Sequence, residues 1–226
     1  MMRKINFHNW IIKNINRKFL RQYSIYIKGT LLDLGCGEMP HENFLNHYVD
    51  KYIGIDWGLS FHSIKAKILC DVNYSLALCN NIADTVISFS VLEHLYDPQK
   101  FLYEAYRILK PEGYLIIQVP WQWWVHEAPF DYFRYSPFGL KYLVEKANFE
   151  LIIIEPSSGF FTMLFLKIIY FTNRVKGPLI FRWFIRILLI PLWTILQLLA
   201  PLLDKLDNNW ELETSSYWVV AKKNGD

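Results

Sequence analysis

From Thr30 onward the sequence alternates short apolar runs with amphipathic stretches, and that alternation leaves few folds open. Thr30–Leu34, Lys51–Ile55, Ala66–Cys70, Thr85–Phe89 and Tyr114–Val119 have strand length, and several are rich in Val and Ile. Helical segments lie between them. One follows Pro40 and runs to about Tyr48. A stronger one starts at Pro98, a residue suited to a first helical turn, and sets Phe101, Leu102, Ala105, Ile108 and Leu109 on one face. Lys110-Pro111-Glu112-Gly113 then turns the chain. Ser136-Pro137 opens a further helix, and Glu150–Glu155 and Tyr217–Lys222 complete seven strands. Strands alternating with helices imply an α/β fold: a mostly parallel seven-stranded sheet with helices on both faces.

Two segments stand outside this pattern. Residues 4–27 read as an amphipathic helix, with Ile12, Ile15, Phe19, Tyr23 and Ile27 recurring at spacings of three and four. Roughly sixty residues separate the last two strands, far beyond an ordinary loop of about 4–6 residues. The expected division is therefore an N-terminal helix at 1–28, a core at 29–155 and 212–226, and an apolar helical insertion at 156–211. Within the insertion, Ile187–Leu203 carries no charge, and Gly177-Pro178 should divide two helices meeting as a hairpin.

Charge follows the same division. Residues 1–28 carry seven Lys/Arg and no acid, and residues 156–203 carry five and no acid. The remaining positions hold 12 Lys/Arg against 21 Asp/Glu. Basic, apolar extensions on an acidic core suit an anionic membrane surface. Residues 160–203 are the expected contact, shallow and monotopic, with Trp183 and Trp193 at interfacial depth; a helical lid or dimer interface and a full membrane span are the alternatives for this segment. The N-terminus has no clean signal-peptide pattern, so the chain is expected on the cytoplasmic side, at the inner membrane face. The three cysteines lack zinc-site spacing and are expected as reduced, buried thiols.

Asp33-Leu34-Gly35-Cys36-Gly37 follows the first strand directly. In open α/β sheets ligands bind beyond the carboxyl ends of strands, and glycines there let the backbone approach them. Asp56 ends the second strand, where a carboxylate can accept hydrogen bonds from both ribose hydroxyls. A dinucleotide fold would prefer a third glycine where Pro40 stands, and Glu38 beside the turn would repel a pyrophosphate. A cationic adenosyl ligand suits this loop better.

Leu31–Gly37, Ile53-Gly54-Ile55-Asp56, Cys70-Asp71-Val72, Asp84–Leu95 and Leu109–Leu115 occur in an order that resembles the class I S-adenosylmethionine-dependent methyltransferases. The resemblance covers about residues 28–155 and the last strand, and it implies a Rossmann-like core with S-adenosyl-L-methionine as cofactor. It places Asp33, Gly35 and Gly37 at the methionine end, Asp56 at the ribose, Asp71 and Val72 at the adenine, and Phe89 and Ser90 by the amino acid moiety, with Cys36 and Trp57 also expected among the cofactor-binding residues. Family members often have Gly where Glu112 stands, on a turn distant from the cofactor.

The segment Trp121–Tyr135 crowds aromatic and titratable residues beyond the fifth strand. His126 is the candidate proton acceptor, and Asp131 would orient it or pair with Arg134. His94, Trp121, Tyr132, Arg134 and Tyr135 are candidates for the acceptor pocket. The His-x-x-Pro-x-Asp-Tyr-x-Arg-Tyr pattern resembles methyltransferases associated with glycans and cell envelopes, so the expected acceptor is a small molecule, a glycan or a lipid-linked compound. No metal ligand set is expected from the spacing of the histidines. A non-catalytic membrane adaptor and a dinucleotide oxidoreductase are the alternatives. Nucleic acid is not an expected partner, because the basic residues are interleaved with large apolar ones.

Overall fold

A computed structural model describes residues 8–58, 63–209 and 212–225. The described residues form two compact units, one within residues 21–155 and 216–225, the other within residues 8–20 and 156–215. The start of the expected N-terminal helix, residues 1–7, and the insertion's residues 210 and 211 lie outside the described residues.

The first unit is built on β1 (Thr30–Leu34), β2 (Lys51–Asp56), β3 (Ile68–Leu69), β4 (Ala83–Phe89), β5 (Leu109–Pro120), β6 (Phe149–Pro156) and β7 (Ser216–Lys223). They form a mixed sheet in the order β3-β2-β1-β4-β5-β7-β6. β1 pairs in parallel with β2 and β4, β2 with β3, and β4 with β5, whereas β7 runs antiparallel to β5. This is the Rossmann-like arrangement, with the apolar insertion between the last two strands in sequence. β1 and β7 are buried on both faces, which accounts for their nearly continuous apolar sequence.

Helices α2 (Glu42–Leu45), α3 (Pro98–Ile108) and α4 (Pro137–Lys146) accompany the sheet. Asp97 caps α3 by accepting the Lys100 N–H, and Ser136 caps α4 by accepting that of Gly139. Phe101, Leu102, Ala105 and Ile108 are buried together with Leu32, Leu34 and Val86. α2 is one turn, shorter than the stretch to Tyr48 expected from sequence. The turn expected at Lys110–Gly113 is absorbed into β5. Ala83 faces Leu109 but Thr85 faces Tyr114, so the intervening residues bulge, with Glu112 at φ +63°. The third strand contracts from the expected Ala66–Cys70 to two residues at the sheet edge.

The second unit contains most of α1 (Trp10–Gln22) together with α5 (Phe160–Asn173) and α6 (Leu179–Leu203). Ile11, Phe19 and Leu20 are the buried face of α1. The Ile11 N–H donates to Gln197 Oε1 of α6 at 3.2 Å. Asp204 holds the start of α5, accepting from the Gly159 N–H and from both the N–H and hydroxyl of Thr162. Trp193 is 3% exposed and its indole N–H donates to Thr172, so it ties α6 to α5 rather than standing at the surface as expected. Trp183 is exposed. By length and composition, Leu179–Leu206 could cross a membrane, with mean hydropathy 1.9. All three cysteines are free, but only Cys36 is buried, and Cys79 is exposed.

Candidate functional site

The strand order reverses between β1 and β4, and a cleft opens beyond the carboxyl ends of the strands there, as this topology favours. Gly35 and Gly37 enter it from β1, Asp56 and Trp57 from β2, and Asp71, Val72 and Asn73 from β3. Ser90, Val91, His94 and Leu95 follow β4, and Glu127 and Phe130 come from the loop after β5. Among the described residues the lining holds three carboxylates and no Lys or Arg.

The turn after β1 is held from β2. The N–H groups of Gly35 and Cys36 both donate to the Ile55 carbonyl, and the Gly37 N–H donates to Asp56 Oδ2 at 2.7 Å. Gly35 has φ +81°, and a Cβ there would lie 2.3 Å from Val91 Cγ2. Gly54 is required for a different reason: its Cβ would meet Cys36 Sγ at 2.6 Å. The glycines thus permit the turn and the close passage of β2 beneath it. Asp56 is held above the usual carboxylate range by burial, opposed by its backbone hydrogen bonds.

Asp33, Cys36 and Phe89 do not line this cleft. Asp33 is buried and accepts a short hydrogen bond from the Tyr52 hydroxyl. Burial pushes its carboxyl up to about 7. Burial likewise pushes the Cys36 thiol up to about 12, an unreactive state. The Phe89 ring packs against His41 and Trp218. Ser90 adopts φ +54°, and its hydroxyl donates to Gln118 Oε1. Asp71 accepts from the Asn73 backbone and side-chain amides at 2.9 Å each.

Asp33 carries a pH prediction. An unfolded chain ionises this acid near pH 4, whereas the folded chain retains its proton to about pH 7, so folding takes up a proton between those values. Stability from this group is therefore complete below pH 4 and is lost as pH rises toward 7. Urea unfolding of the unliganded protein should show wild type losing about 2–4 kcal/mol more than Asp33→Asn between pH 4 and pH 7.5. Parallel pH profiles for the two proteins would refute this.

The loop after β5 is organised by Arg134. Its guanidinium meets both oxygens of Asp131, at 2.5 and 2.8 Å, and donates to the Trp124 carbonyl. Asp131 is held down to about 2, chiefly by Arg134. It also accepts the His126 N–H at 2.9 Å, whereas the His126 imidazole Nδ1 lies 3.4 Å from it. Of the two arrangements expected for Asp131, pairing with Arg134 thus dominates over orienting the imidazole. His126 itself is not in the cleft lining. Its pKa is lowered, first by burial and then by His94, whose ring lies 4.7 Å away.

Of the expected acceptor-pocket residues, His94 lines the cleft. Tyr135 is buried with its hydroxyl on the Leu92 carbonyl, and Trp121 packs partly buried against the core. Tyr132 is exposed and donates its backbone N–H to the Glu93 carbonyl. Asn73, Val91, Leu95, Glu127 and Phe130 were not distinguishable from their neighbours by sequence. The aromatic loop announces itself by composition, but which of its side chains turn inward depends on the Arg134 network. Glu93 is completely buried behind His94, and burial pushes its carboxyl up to about 8.

Residues 32–117 match the family model of a methyltransferase domain. A probable S-adenosylmethionine-dependent methyltransferase of Mycolicibacterium smegmatis is 28% identical over 96 residues, covering 40% of this chain and 37% of that protein. The chain thus aligns with little more than a third of its curated relative. A crystal structure of an S-adenosylmethionine-dependent methyltransferase from Archaeoglobus fulgidus superposes with TM-score 0.61 at 20% identity, over 96% of this chain and 98% of that one. Haemonchus contortus phosphoethanolamine N-methyltransferase 2, solved with S-adenosyl-L-methionine, superposes with TM-score 0.59 at 17% identity, over 97% of this chain and 56% of that one. At these identities the structural likenesses establish the fold.

Proposed function

We propose that this chain, whose residues 32–117 match the family model of a methyltransferase domain, is a class I S-adenosylmethionine-dependent methyltransferase that transfers a methyl group from that cofactor to a lipid-linked, glycan or small-molecule acceptor at the cytoplasmic face of a membrane. The cleft chemistry carries the cofactor reading. Among the described residues its lining has Asp56, Asp71 and Glu127 with no Lys or Arg, which favours a ligand bearing an ammonium and a sulfonium and opposes a pyrophosphate.

The bound cofactor supplies a methyl group on a sulfonium that is already a good leaving group. The protein's task is then to hold donor and acceptor in line and exclude water. Gly35 and Gly37 let the backbone approach the methionine end. Asp56 accepts from the ribose hydroxyls, Asp71 is assigned to the adenine amino group, and Val72 to the ring face. His94, Glu127 and Phe130 wall the acceptor end. Isothermal calorimetry with S-adenosylmethionine tests the reading: one saturable site is expected, and absence of binding would overturn it.

The membrane reading rests on the second unit. Ile180 is 85% exposed, and Phe184, Ile187 and Leu188 are each about two-thirds exposed on α6. Such apolar area suits burial among lipid chains, with Arg174, Lys176 and Arg182 near the headgroups. In flotation with vesicles containing anionic lipid, the intact protein should rise with the lipid. Deleting residues 160–203, or introducing Ile180→Glu with Ile187→Glu, should lower the bound fraction about tenfold or more. Equal partition of wild type and the double variant would count against the dock.

A further inference from the structure

We propose that Glu93, His94 and His126 form a binding site for a divalent transition-metal ion at the acceptor end of the cleft. Glu93 and His94 lie in the short 3-10 turn Leu92–His94 after β4, and His126 comes from the loop after β5. Glu93 Oε1 is 3.6 Å from His94 Nε2 and 4.0 Å from His126 Nε2. One donor atom from each residue lies within 4.8 Å of the others.

The hydrogen bonds around these side chains decide which atoms are available. His94 Nδ1 is 2.7 Å from the Phe130 carbonyl, which can only accept, so Nδ1 carries the proton and Nε2 presents a lone pair. His126 Nδ1 lies 3.3 Å from the Trp124 carbonyl and 3.4 Å from Asp131 Oδ2, two acceptors that favour the same tautomer, and 3.5 Å from Arg134 Nη2, a donor that opposes it. A backbone carbonyl on the far nitrogen is the usual support for a metal-bound imidazole. The Nε2 atoms of both imidazoles thus face the same Glu93 oxygen.

Glu93 supplies the second, independent observation. Its side chain is 0% exposed, and neither carboxylate oxygen has a hydrogen-bond partner among the described residues. A buried carboxyl without a donor is costly, and a cation satisfies it directly. Arg134 is the nearby competing cation, but Asp131 already holds it through two bonds.

The donor set selects the metal class. Two imidazoles and one carboxylate suit zinc, iron(II), cobalt(II) or manganese(II) rather than magnesium or calcium. Bonds of about 2.0–2.1 Å would set the donors about 3.3 Å apart, so assembly needs shifts of about half an ångström to an ångström. Glu127 Oε2 stands 3.9 Å from His94 Nε2 at the cleft rim. His94 and Glu127 both line the cleft, so a remaining coordination position would face an acceptor oxygen. That use rests on the methyl-transfer reading, whereas metal binding does not.

The test uses the full chain after chelator treatment, titrated with cobalt(II) and read by its visible absorption, with zinc(II) as competitor. One equivalent should bind, and His126→Ala and Glu93→Gln should each weaken binding about 100-fold or more. His126 is partly exposed and outside the cleft lining, so His126→Ala should keep its circular dichroism and its calorimetric affinity for S-adenosylmethionine. Substoichiometric cobalt in wild type, or equal affinity in a folded His126→Ala variant, would overturn the site. Cobalt binding without cofactor binding would leave the metal site standing and remove the methyltransferase reading; cofactor binding without cobalt would do the reverse.

Discussion

Asp56→Ala should weaken S-adenosylmethionine binding by about 2–4 kcal/mol, roughly 30- to 1,000-fold. Two losses combine. The first is the proposed pair of charge-assisted bonds to the ribose, worth about 1.5–3 kcal/mol. The second is internal: Asp56 Oδ2 is the acceptor for the Gly37 N–H, so the variant frees the turn that approaches the cofactor. Asp56→Asn separates them. Its amide oxygen can still accept from Gly37, so the turn should persist while the charge is lost, and affinity should fall between the other two proteins. Calorimetry on all three reads the order directly. Wild-type affinity in a folded Asp56→Ala protein would show that this carboxylate does not hold the ribose.

The turn that Asp56 secures was legible because its requirements are local. A strand, two glycines and an acid ending the next strand are written in adjacent residues, and burial on both faces gives the central parallel strands continuous apolar sequence. Side-chain direction was less legible. Asp33 and Gly35 are two residues apart, yet one turns to Tyr52 inside the sheet and the other lines the cleft. Phe89 and Ser90 divide in the same way, with Phe89 against Trp218 of β7, a strand far along the chain. Long-range partners decide these cases, and a single sequence does not name them. The same limit hid the proximity of Glu93 to His126 and the burial of Trp193 against α5. The bulge in β5 escaped because Lys110-Pro111-Glu112-Gly113 reads equally as a hairpin turn or as an excursion within a strand.

Arg134→Ala is expected to lower stability by about 3 kcal/mol, and the unfolding midpoint by about 6–12 °C. The Asp131 side chain is 2% exposed, so removing Arg134 strands a buried carboxylate with the His126 backbone N–H and a poorly aligned imidazole. The same variant removes the hydrogen bonds from Arg134 to the Trp123 and Trp124 carbonyls, and so loosens the loop presenting Glu127 and Phe130. Cofactor or acceptor affinity should therefore fall along with stability. The pH dependence identifies the mechanism. Arg134 holds the folded Asp131 down to about 2, so its stabilisation is complete above the unfolded value near 4 and fades as pH falls toward 2. The gap between wild type and Arg134→Ala should consequently be widest above pH 5 and should narrow in acid. Asp131→Asn combined with Arg134→Ala should be more stable at neutral pH than Arg134→Ala alone, because no buried charge then lacks its partner. A double variant no better than the single one, with a gap that does not change with pH, would mean that Arg134 acts through its carbonyl contacts rather than through Asp131.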